Sequence, residues 1–145
     1  EDNKVGMVEF YGTEECVMDI MKRPQVNICT DGLLGGTPHP RVYGAFPRVL
    51  GKYVREKQFL TLEEAVHKMT GKAADAMRMT QRGLLQPGKK ADIVIFDLET
   101  ITDVGDFINP RQLARGVRQV IVNGKTVLDE QGLHADAASG EVLTF

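Results

Sequence analysis

The sequence has few cysteines, and that shortage excludes two classes of protein. Cys16 and Cys29 are the only cysteines among 145 residues, and no C-x-x-C pair is present. Neither a disulfide framework nor a zinc ribbon is therefore indicated. We expect two reduced, mostly buried thiols in a cytoplasmic protein.

Long apolar runs and an excess of charge of one sign are also absent. No apolar run approaches the roughly 20 residues that a membrane span needs, and the charged N-terminus is not a secretory signal. Lys and Arg number 18 against 20 Asp and Glu, for a net charge of -2. This balance offers no field to attract nucleic acid or an anionic membrane, so we expect neither partner. Because the first residue is Glu1, we expect the sequence to begin inside a longer chain.

The usual zinc-binding motifs are missing as well. The sequence has no H-x-H, no H-E-x-x-H and no cluster of Cys and His, whereas a zinc ion takes three or four such ligands. If a carboxylate of this chain works with a metal, the other ligands come from residues outside the sequence. His67, on a predicted helix, and His134, in a polar loop, are expected to be surface histidines.

The first part of the chain predicts a strand, a helix and a second strand. Residues 5–11 are apolar and rich in β-formers, and Thr13 is placed to cap the following helix. Pro24 ends that helix, and residues 26–29 form the second short strand. This order predicts a βαβ unit with a parallel pair of strands.

Two helices are predicted after a long loop. Residues 33–51 are rich in proline and glycine, with a short helix near residues 47–57. Thr61 and Glu64 have the spacing of a capping box, and Thr70 can cap a second helix. The apolar side chains expected to face inward on these two helices are Leu62, Ala65, Val66, Met69, Ala73, Ala74 and Met77.

Beyond residue 86 the pattern changes to short strands. A turn at residues 86–88 leads into a strand at residues 91–97, and Asn123-Gly124 is the strongest short hairpin signal. Residues 141–145 complete a set of about four strands, too few for an independent sandwich. This β unit therefore needs a partner sheet from elsewhere.

Asp31 is the sharpest candidate for chemistry, because Thr30-Asp31-Gly32 follows a predicted strand. In a (β/α)8 barrel, catalytic groups lie at the carboxyl ends of the strands. A carboxylate there can act as a general base for a metal-bound water or as a metal ligand. The alternative is a simple turn, which Asp-Gly commonly forms.

The segment at residues 37–48 allows two interpretations. His39 can bind a metal or carry protons, and Arg41 and Arg48 can clamp a carboxylate. Alternatively, the segment is a rigid loop whose histidine and arginines hydrogen-bond to backbone carbonyls, which the residues alone favour. Cys16 and Cys29 are expected to be packing residues.

Residues 27–56 resemble a block near the C-terminus of the N-acyl-D-amino-acid deacylases, or D-aminoacylases. In that family a Ser- or Thr-Asp-Gly triplet precedes a His-Pro-Arg-x-Tyr-Gly-x-Phe-Pro-Arg-x-Leu segment. The resemblance extends over nearly the whole chain, and Ala91-Asp92-Ile93-Val94 is shared with amidohydrolases in general. The matching positions of the distinctive block are His39, Pro40, Arg41, Tyr43, Gly44, Phe46, Pro47, Arg48 and Leu50.

The resemblance implies an α/β fold, a (β/α)8 metal-dependent hydrolase barrel joined to a small β-sandwich built from both chain ends. Residues 1–85 would be the C-terminal part of the barrel, with its last two strands and helices. Residues 86–145 would be the C-terminal part of the composite sandwich. The rest of the barrel would come from a preceding segment that this sequence lacks.

The activity implied by the resemblance is zinc-dependent hydrolysis of small N-acyl-D-amino acids to a carboxylate and a D-amino acid. In such enzymes a bound zinc activates water, and the aspartate at the last strand takes its proton and then protonates the leaving amine. The resemblance transfers this role to Asp31, and it also allows Asp31 to be a metal ligand. No role is transferred to Arg41 or Arg48.

Two alternatives stay open at this point. One is another amidohydrolase that opens rings, such as a hydantoinase- or dihydroorotase-like enzyme. The other is a non-catalytic fragment or assembly module that lacks the metal site, which the missing zinc ligands favour for the isolated chain.

Overall fold

The computed structural model describes residues 12–143, which contain four α-helices, one π-helical segment and four strands. The helices are α1 (Glu14–Lys22), α2 (Arg41–Arg48), α3 (Leu62–Met69) and α4 (Gly71–Ala76), and the π-helical segment Val49–Glu56 continues α2. The strands are β1 (Ile93–Phe96), β2 (Val117–Val122), β3 (Lys125–Asp129) and β4 (Gly132–Leu133). The chain is thus an α/β protein, as predicted. No helix of these residues is long and apolar enough to cross a membrane.

Helix α1 begins where the sequence predicts. The Thr13 hydroxyl accepts a hydrogen bond from the Cys16 amide at 3.3 Å, which satisfies one of the free donors at the helix start. The helix ends at Lys22, just before Pro24. Glu14 of its first turn pairs with Lys52 at 2.6 Å, so α1 is joined to the π-helical segment.

The strand predicted at residues 26–29 is not formed. The backbone amides of Val26 and Ile28 donate to the carbonyls of Arg23 and Lys68 instead of to a neighbouring strand. The other predicted strand, at residues 5–11, lies outside the described residues. A strand needs a partner segment that hydrogen-bonds to it, and residues 26–29 have no such partner among residues 12–143. The pairing with residues 5–11 stays a prediction.

The helix expected near residues 47–57 is longer than predicted, because it begins at Arg41. Pro47 lies inside it, and the wide π turns start two residues later, at Val49. Proline removes one backbone donor and crowds the carbonyl four residues earlier, which is consistent with the change of helix type. The amide of Lys57 accordingly donates to the carbonyl of Lys52, five residues back.

The capping box of α3 is confirmed. The Glu64 amide donates to the Thr61 hydroxyl at 3.1 Å, and the Thr61 amide donates to the Glu64 carboxylate at 2.9 Å. Thr70 is the N-cap residue of α4, as predicted, but its side chain does not cap the helix, because its hydroxyl donates to the Val66 carbonyl at 2.7 Å. Among the side chains expected inside, Met77 is 51% exposed.

The four strands form one antiparallel sheet in the order β1-β2-β3-β4. Asn123 and Gly124 join β2 to β3 with φ of 48° and 81°, the left-handed conformations that a tight hairpin requires. The predicted hairpin is therefore confirmed. The last predicted strand is not formed by residues 141–143, and residues 144 and 145 lie outside the described part.

The core joins the helices to the chain that follows β1. Gly51 lies so close to this chain that a Cβ atom would be 2.6 Å from the Ile101 carbonyl oxygen. Arg55 donates to the carbonyls of Leu98 and Ile101 at 3.0 and 2.6 Å. The buried core residues are Met21, Val49, Leu50, Tyr53, Val54, Leu60, Ala65 and Ile101.

Lys68 is buried, with 6% of its surface exposed, and its ammonium links α3 to the end of α1. It donates to the carbonyls of Arg23 at 2.7 Å and Val26 at 3.2 Å.

We expect Lys68→Met to lower the free energy of unfolding by about 1–2 kcal/mol, since two acceptors lose their donor. Urea unfolding measures this loss. The exposed Lys125→Met should change it by less than about 0.5 kcal/mol, and equal losses would contradict the prediction.

Candidate active site around Asp31

Asp31 is exposed and has an unusual backbone. Its φ of 44° lies in the left-handed region, where aspartate is better tolerated than most residues. Gly32 follows, and a Cβ atom there would lie 2.8 Å from the Val42 side chain. The side chain of Asp31 is 82% exposed. The carboxylate is therefore accessible from solvent, directly after residues 26–30, which form neither helix nor strand.

Arg41 binds both the backbone and the side chain of Asp31. Its Nε donates to the Asp31 carbonyl at 2.9 Å, and its Nη2 donates to Oδ2 at 2.9 Å. An exposed ion pair contributes at most about 1 kcal/mol to stability, so its main effect is on geometry. Of the two sequence interpretations of Arg41, the hydrogen bond to a backbone carbonyl is confirmed, whereas the Asp31 carboxylate receives one hydrogen bond rather than a bidentate clamp.

His39 is partly buried beside this pair. Its Nδ1 accepts a hydrogen bond from the Arg41 amide at 3.0 Å, and its ring packs edge-on against Phe107 at 5.0 Å. Burial, and then the charge of Arg41, lower the pKa of His39 below its ordinary value. The accepting Nδ1 requires the neutral imidazole to carry its hydrogen on Nε2, so at neutral pH His39 supports the loop as an acceptor.

We expect the His39 imidazole to titrate with a midpoint below 6.5, its ordinary pKa. The stabilisation that His39 contributes is complete at pH values above the pKa of its imidazole in the unfolded chain. It declines as the pH falls through the interval below 6.5, because the imidazole of the unfolded chain is protonated at a higher pH than that of the folded protein. NMR titration of the ring measures the midpoint. His39→Gln should flatten the loss of stability in this interval. A midpoint at or above 6.5 would contradict the prediction.

Arg48 does not join Asp31. Its Nη1 donates to the Asp103 carboxylate at 2.9 Å. Burial alone would lower the pKa of Arg48, but the hydrogen bond and charge of Asp103 raise it above the ordinary value. Arg48 therefore anchors the chain after β1 to α2.

The outcome differs among four other residues that were predicted to pack inside or to lie at the surface. The buried thiols are wrong, because Cys16 and Cys29 are both exposed. The spacing of the apolar residues in α1 and in residues 26–29 predicts that they share one face. That face is buried only if another part of the protein covers it. His67 is exposed as predicted, whereas His134 is half-buried and its Nε2 lies 2.9 Å from the Asp129 carboxylate.

The site includes a residue that sequence reasoning misses, Arg111. Its Nη2 donates to the carbonyls of Leu34 and Gly36 at 3.1 and 2.8 Å, and its Nη1 donates to the Tyr43 hydroxyl at 3.4 Å. A cleft of about 570 Å³ opens between residues 36–38 and 108–112. No local pattern marks Arg111, since its partners are at least 68 residues away in sequence.

The described residues do not form a zinc site by themselves. Residues 12–143 contain no group of three or more His, Cys, Asp or Glu side chains that could hold a metal ion. Zinc takes at least three protein ligands.

The sequence pattern of the amidohydrolase family matches residues 19–128. The chain belongs to this family. The matched residues include Asp31, the loop with His39 and Arg41, and the hairpin. The resemblance found in the sequence is thus confirmed.

Among the relatives of this amidohydrolase are two enzymes of Alcaligenes xylosoxydans xylosoxydans. An N-acyl-D-aspartate deacylase is 41% identical and a D-aminoacylase 42% identical, each over 139 residues. Both matches cover 95% of this chain and 28% of the relative. The chain therefore spans little more than a quarter of their length. Several Lactobacillus dihydroorotases match only short stretches, such as 55 residues at 40% identity.

Solved structures lead to the same family. A D-aminoacylase superposes with a TM-score of 0.82 and 41% identity, over 87% of this chain and 27% of its own. An N-acyl-D-glutamate deacylase from Bordetella bronchiseptica, complexed with zinc and a phosphonate inhibitor, superposes with a TM-score of 0.84 and 41% identity. That match covers 90% of this chain and 27% of the neighbour.

Proposed function

We propose that this chain is the C-terminal part of a zinc-dependent amidohydrolase that hydrolyses N-acyl-D-amino acids to a carboxylate and a D-amino acid. One observation carries the proposal: deacylases of N-acyl-D-amino acids match 86–95% of the chain at 40–42% identity. Dihydroorotases match only 38–41% of it. This difference supports a linear amide rather than a ring as the substrate.

Asp31 is the proposed general base. It takes the proton from the water that attacks the amide carbonyl, and it returns that proton to the leaving amine. Its geometry supports the role, because Arg41 holds Oδ2 while no hydrogen bond from residues 12–143 reaches Oδ1. The free oxygen is the one that can accept the proton.

The proposed zinc is inferred from the relatives, because the described residues do not provide a set of metal ligands. A zinc complex is known for the deacylase of Bordetella bronchiseptica, and a binuclear metal centre for a D-aminoacylase. Asp31 would be at most one ligand here. The remaining ligands are assigned to the part of the relatives, more than two thirds of their length, that this chain does not span.

The division of the chain is also a proposal. Residues 1–85 belong to a (β/α)8 barrel, and residues 86–145 to a β-sandwich that chain segments from both ends complete. Val94 and Ile95 of β1 are 54% and 47% exposed. Neighbouring strand residues point to opposite faces, so β1 exposes apolar surface on both faces. This exposure supports the proposal that further chain segments cover the sheet.

We place the protein in the cytoplasm, which the two free cysteines support.

The test starts from the full-length gene product purified from its source. Its intact mass should be several times the 16.0 kDa of this chain. It should hydrolyse N-acetyl-D-amino acids, ignore their L-enantiomers and cyclic dihydroorotate or hydantoin, and lose activity when a chelator removes zinc. A mass near that of this chain, or turnover of the cyclic compounds alone, would overturn the proposal.

A second candidate is a non-catalytic assembly module, and two observations favour it for the isolated chain. The described residues hold no metal-ligand cluster. Large apolar side chains are also uncovered, such as Leu33 at 83% and Ile108 at 84% exposure, and exposed apolar surface promotes association. If this candidate is right, the natural 16.0 kDa protein should bind no stoichiometric zinc and should self-associate in gel filtration.

A further inference from the structure

The connection between β1 and β2 contains a closed loop. Thr102 and Arg115 form an antiparallel bridge in which each amide donates to the other's carbonyl, at 3.2 and 3.1 Å. This bridge ties the two ends of residues 103–114 together, and we name these residues the β1–β2 loop. Compact loops whose ends meet in this way are frequently functional.

The β1–β2 loop has its own internal structure. The Asp106 carboxylate accepts hydrogen bonds from the amides of Ile108 at 2.8 Å and Asn109 at 2.6 Å. Gly105 lies against Pro110, where a Cβ atom would be 2.7 Å from the Pro110 carbonyl oxygen. Because these contacts order the loop locally, it can hold another segment in place.

The base of the loop is attached to α2. Asp103 accepts the hydrogen bond from Arg48, and a Cβ atom at Gly44 would lie 2.7 Å from the Asp103 Cβ. Gly44 and Arg48 are four residues apart and so lie on one face of the helix. The loop is therefore fixed to the helix that begins at Arg41, the residue that binds Asp31.

The far side of the loop holds the segment that carries Asp31. Arg111 donates to the carbonyls of Leu34 and Gly36, and Phe107 packs on His39. Among residues 12–143, no other hydrogen bond reaches the backbone of residues 32–38. The path of the chain from Asp31 to His39 thus depends on the Arg111 guanidinium.

We propose that the β1–β2 loop is a positioning element of the active site and that Arg111 is a positioning residue for Asp31. Arg111 fixes residues 32–38 on one side of Asp31 while Arg41 binds it on the other. The catalytic part of this inference rests on the proposed function. A misplacement of about 1 Å at a reacting group can reduce a rate by about 100-fold, so this distant arginine controls turnover.

The test uses the full-length protein with Arg111→Ala, Arg111→Lys and the control Arg115→Ala. Arg115 is exposed, and its hydrogen bonds within the described part of the chain are made by its backbone amide and carbonyl rather than by its side chain. We expect Arg111→Ala to reduce kcat about tenfold to 100-fold and to change KM less than about threefold. The lysine variant retains one charged donor and should recover part of kcat, whereas Arg115→Ala should match the wild type.

A second readout does not need activity. Thermolysin cleavage at Leu33 and Leu34, followed by mass spectrometry, should be about tenfold faster in Arg111→Ala, because the segment opens more often. If the wild-type protein has no deacylase activity, the proposed function is refuted. The cleavage rates alone then decide whether Arg111 positions residues 32–38. The positioning role of Arg111 would be overturned if Arg111→Ala were cleaved no faster than the wild type. It would also be overturned if an active enzyme with Arg111→Ala were cleaved faster but kept the wild-type kcat. If Arg111→Ala does not fold, Arg111→Lys carries both comparisons.

Discussion

Replacing Asp31 by asparagine is expected to reduce kcat for N-acyl-D-amino-acid hydrolysis by about 100- to 10,000-fold, the usual contribution of a general base. Asparagine has nearly the same shape, and its carbonyl oxygen can still accept the hydrogen bond from Arg41. It cannot accept the proton of the attacking water. The loss should therefore fall mainly on kcat in assays of the full-length protein.

The control for Asp31→Asn is Asp75→Asn, another exposed carboxylate, which lies at the end of α4. It should leave kcat within about twofold of the wild type, since surface substitutions away from a site have small effects. The Asp31 variant should also remain folded, because its ion pair is exposed and contributes at most about 1 kcal/mol. An Asp31→Asn protein with more than a tenth of the normal kcat would exclude Asp31 as the base.

Replacing Gly116 by alanine is expected to lower the free energy of unfolding by about 2–5 kcal/mol. Gly116 has a φ of 84°, and a Cβ atom there would lie 2.5 Å from the Ile101 amide nitrogen and 2.7 Å from the Thr100 carbonyl carbon. The left-handed backbone costs an alanine about 1–2 kcal/mol, and overpacking of a close contact adds about 1–3 kcal/mol. Urea unfolding measures the sum.

Gly124→Ala separates the two causes. Gly124 has nearly the same backbone, with a φ of 81°, but a Cβ atom there would meet nothing within 4 Å. This variant should lose only the backbone contribution of about 1–2 kcal/mol. If both variants lose the same free energy, the close approach of Gly116 to Ile101 has no energetic consequence.

Local sequence determines the starts of α1 and α3 and the hairpin. Thr13 caps α1, Thr61 and Glu64 form the capping box of α3, and Asn123-Gly124 makes the turn between β2 and β3. Each of these features depends on residues a few positions apart, so its physical cause can be read directly from the sequence. The family can also be recognised from the sequence, because its distinctive residues lie in one continuous block from His39 to Leu50.

Asp31 could be selected from sequence, but its surroundings could not. Arg41 is ten residues away and Arg111 is 80, and nothing in the spacing predicts that both arginines hold the same segment. Charged side chains find partners according to where the backbone brings them. The role of Asp31 as a base stays a prediction.

The sequence by itself determined the family, the capped starts of α1 and α3 and the hairpin. It also selected Asp31 as the candidate catalytic residue. Only the tertiary structure decided that residues 26–29 form no strand, that Lys68 is buried and that both cysteines are exposed. These outcomes depend on which distant segment covers or pairs with each residue. Burial and strand pairing are properties of two segments in contact, and a local pattern describes only one of them.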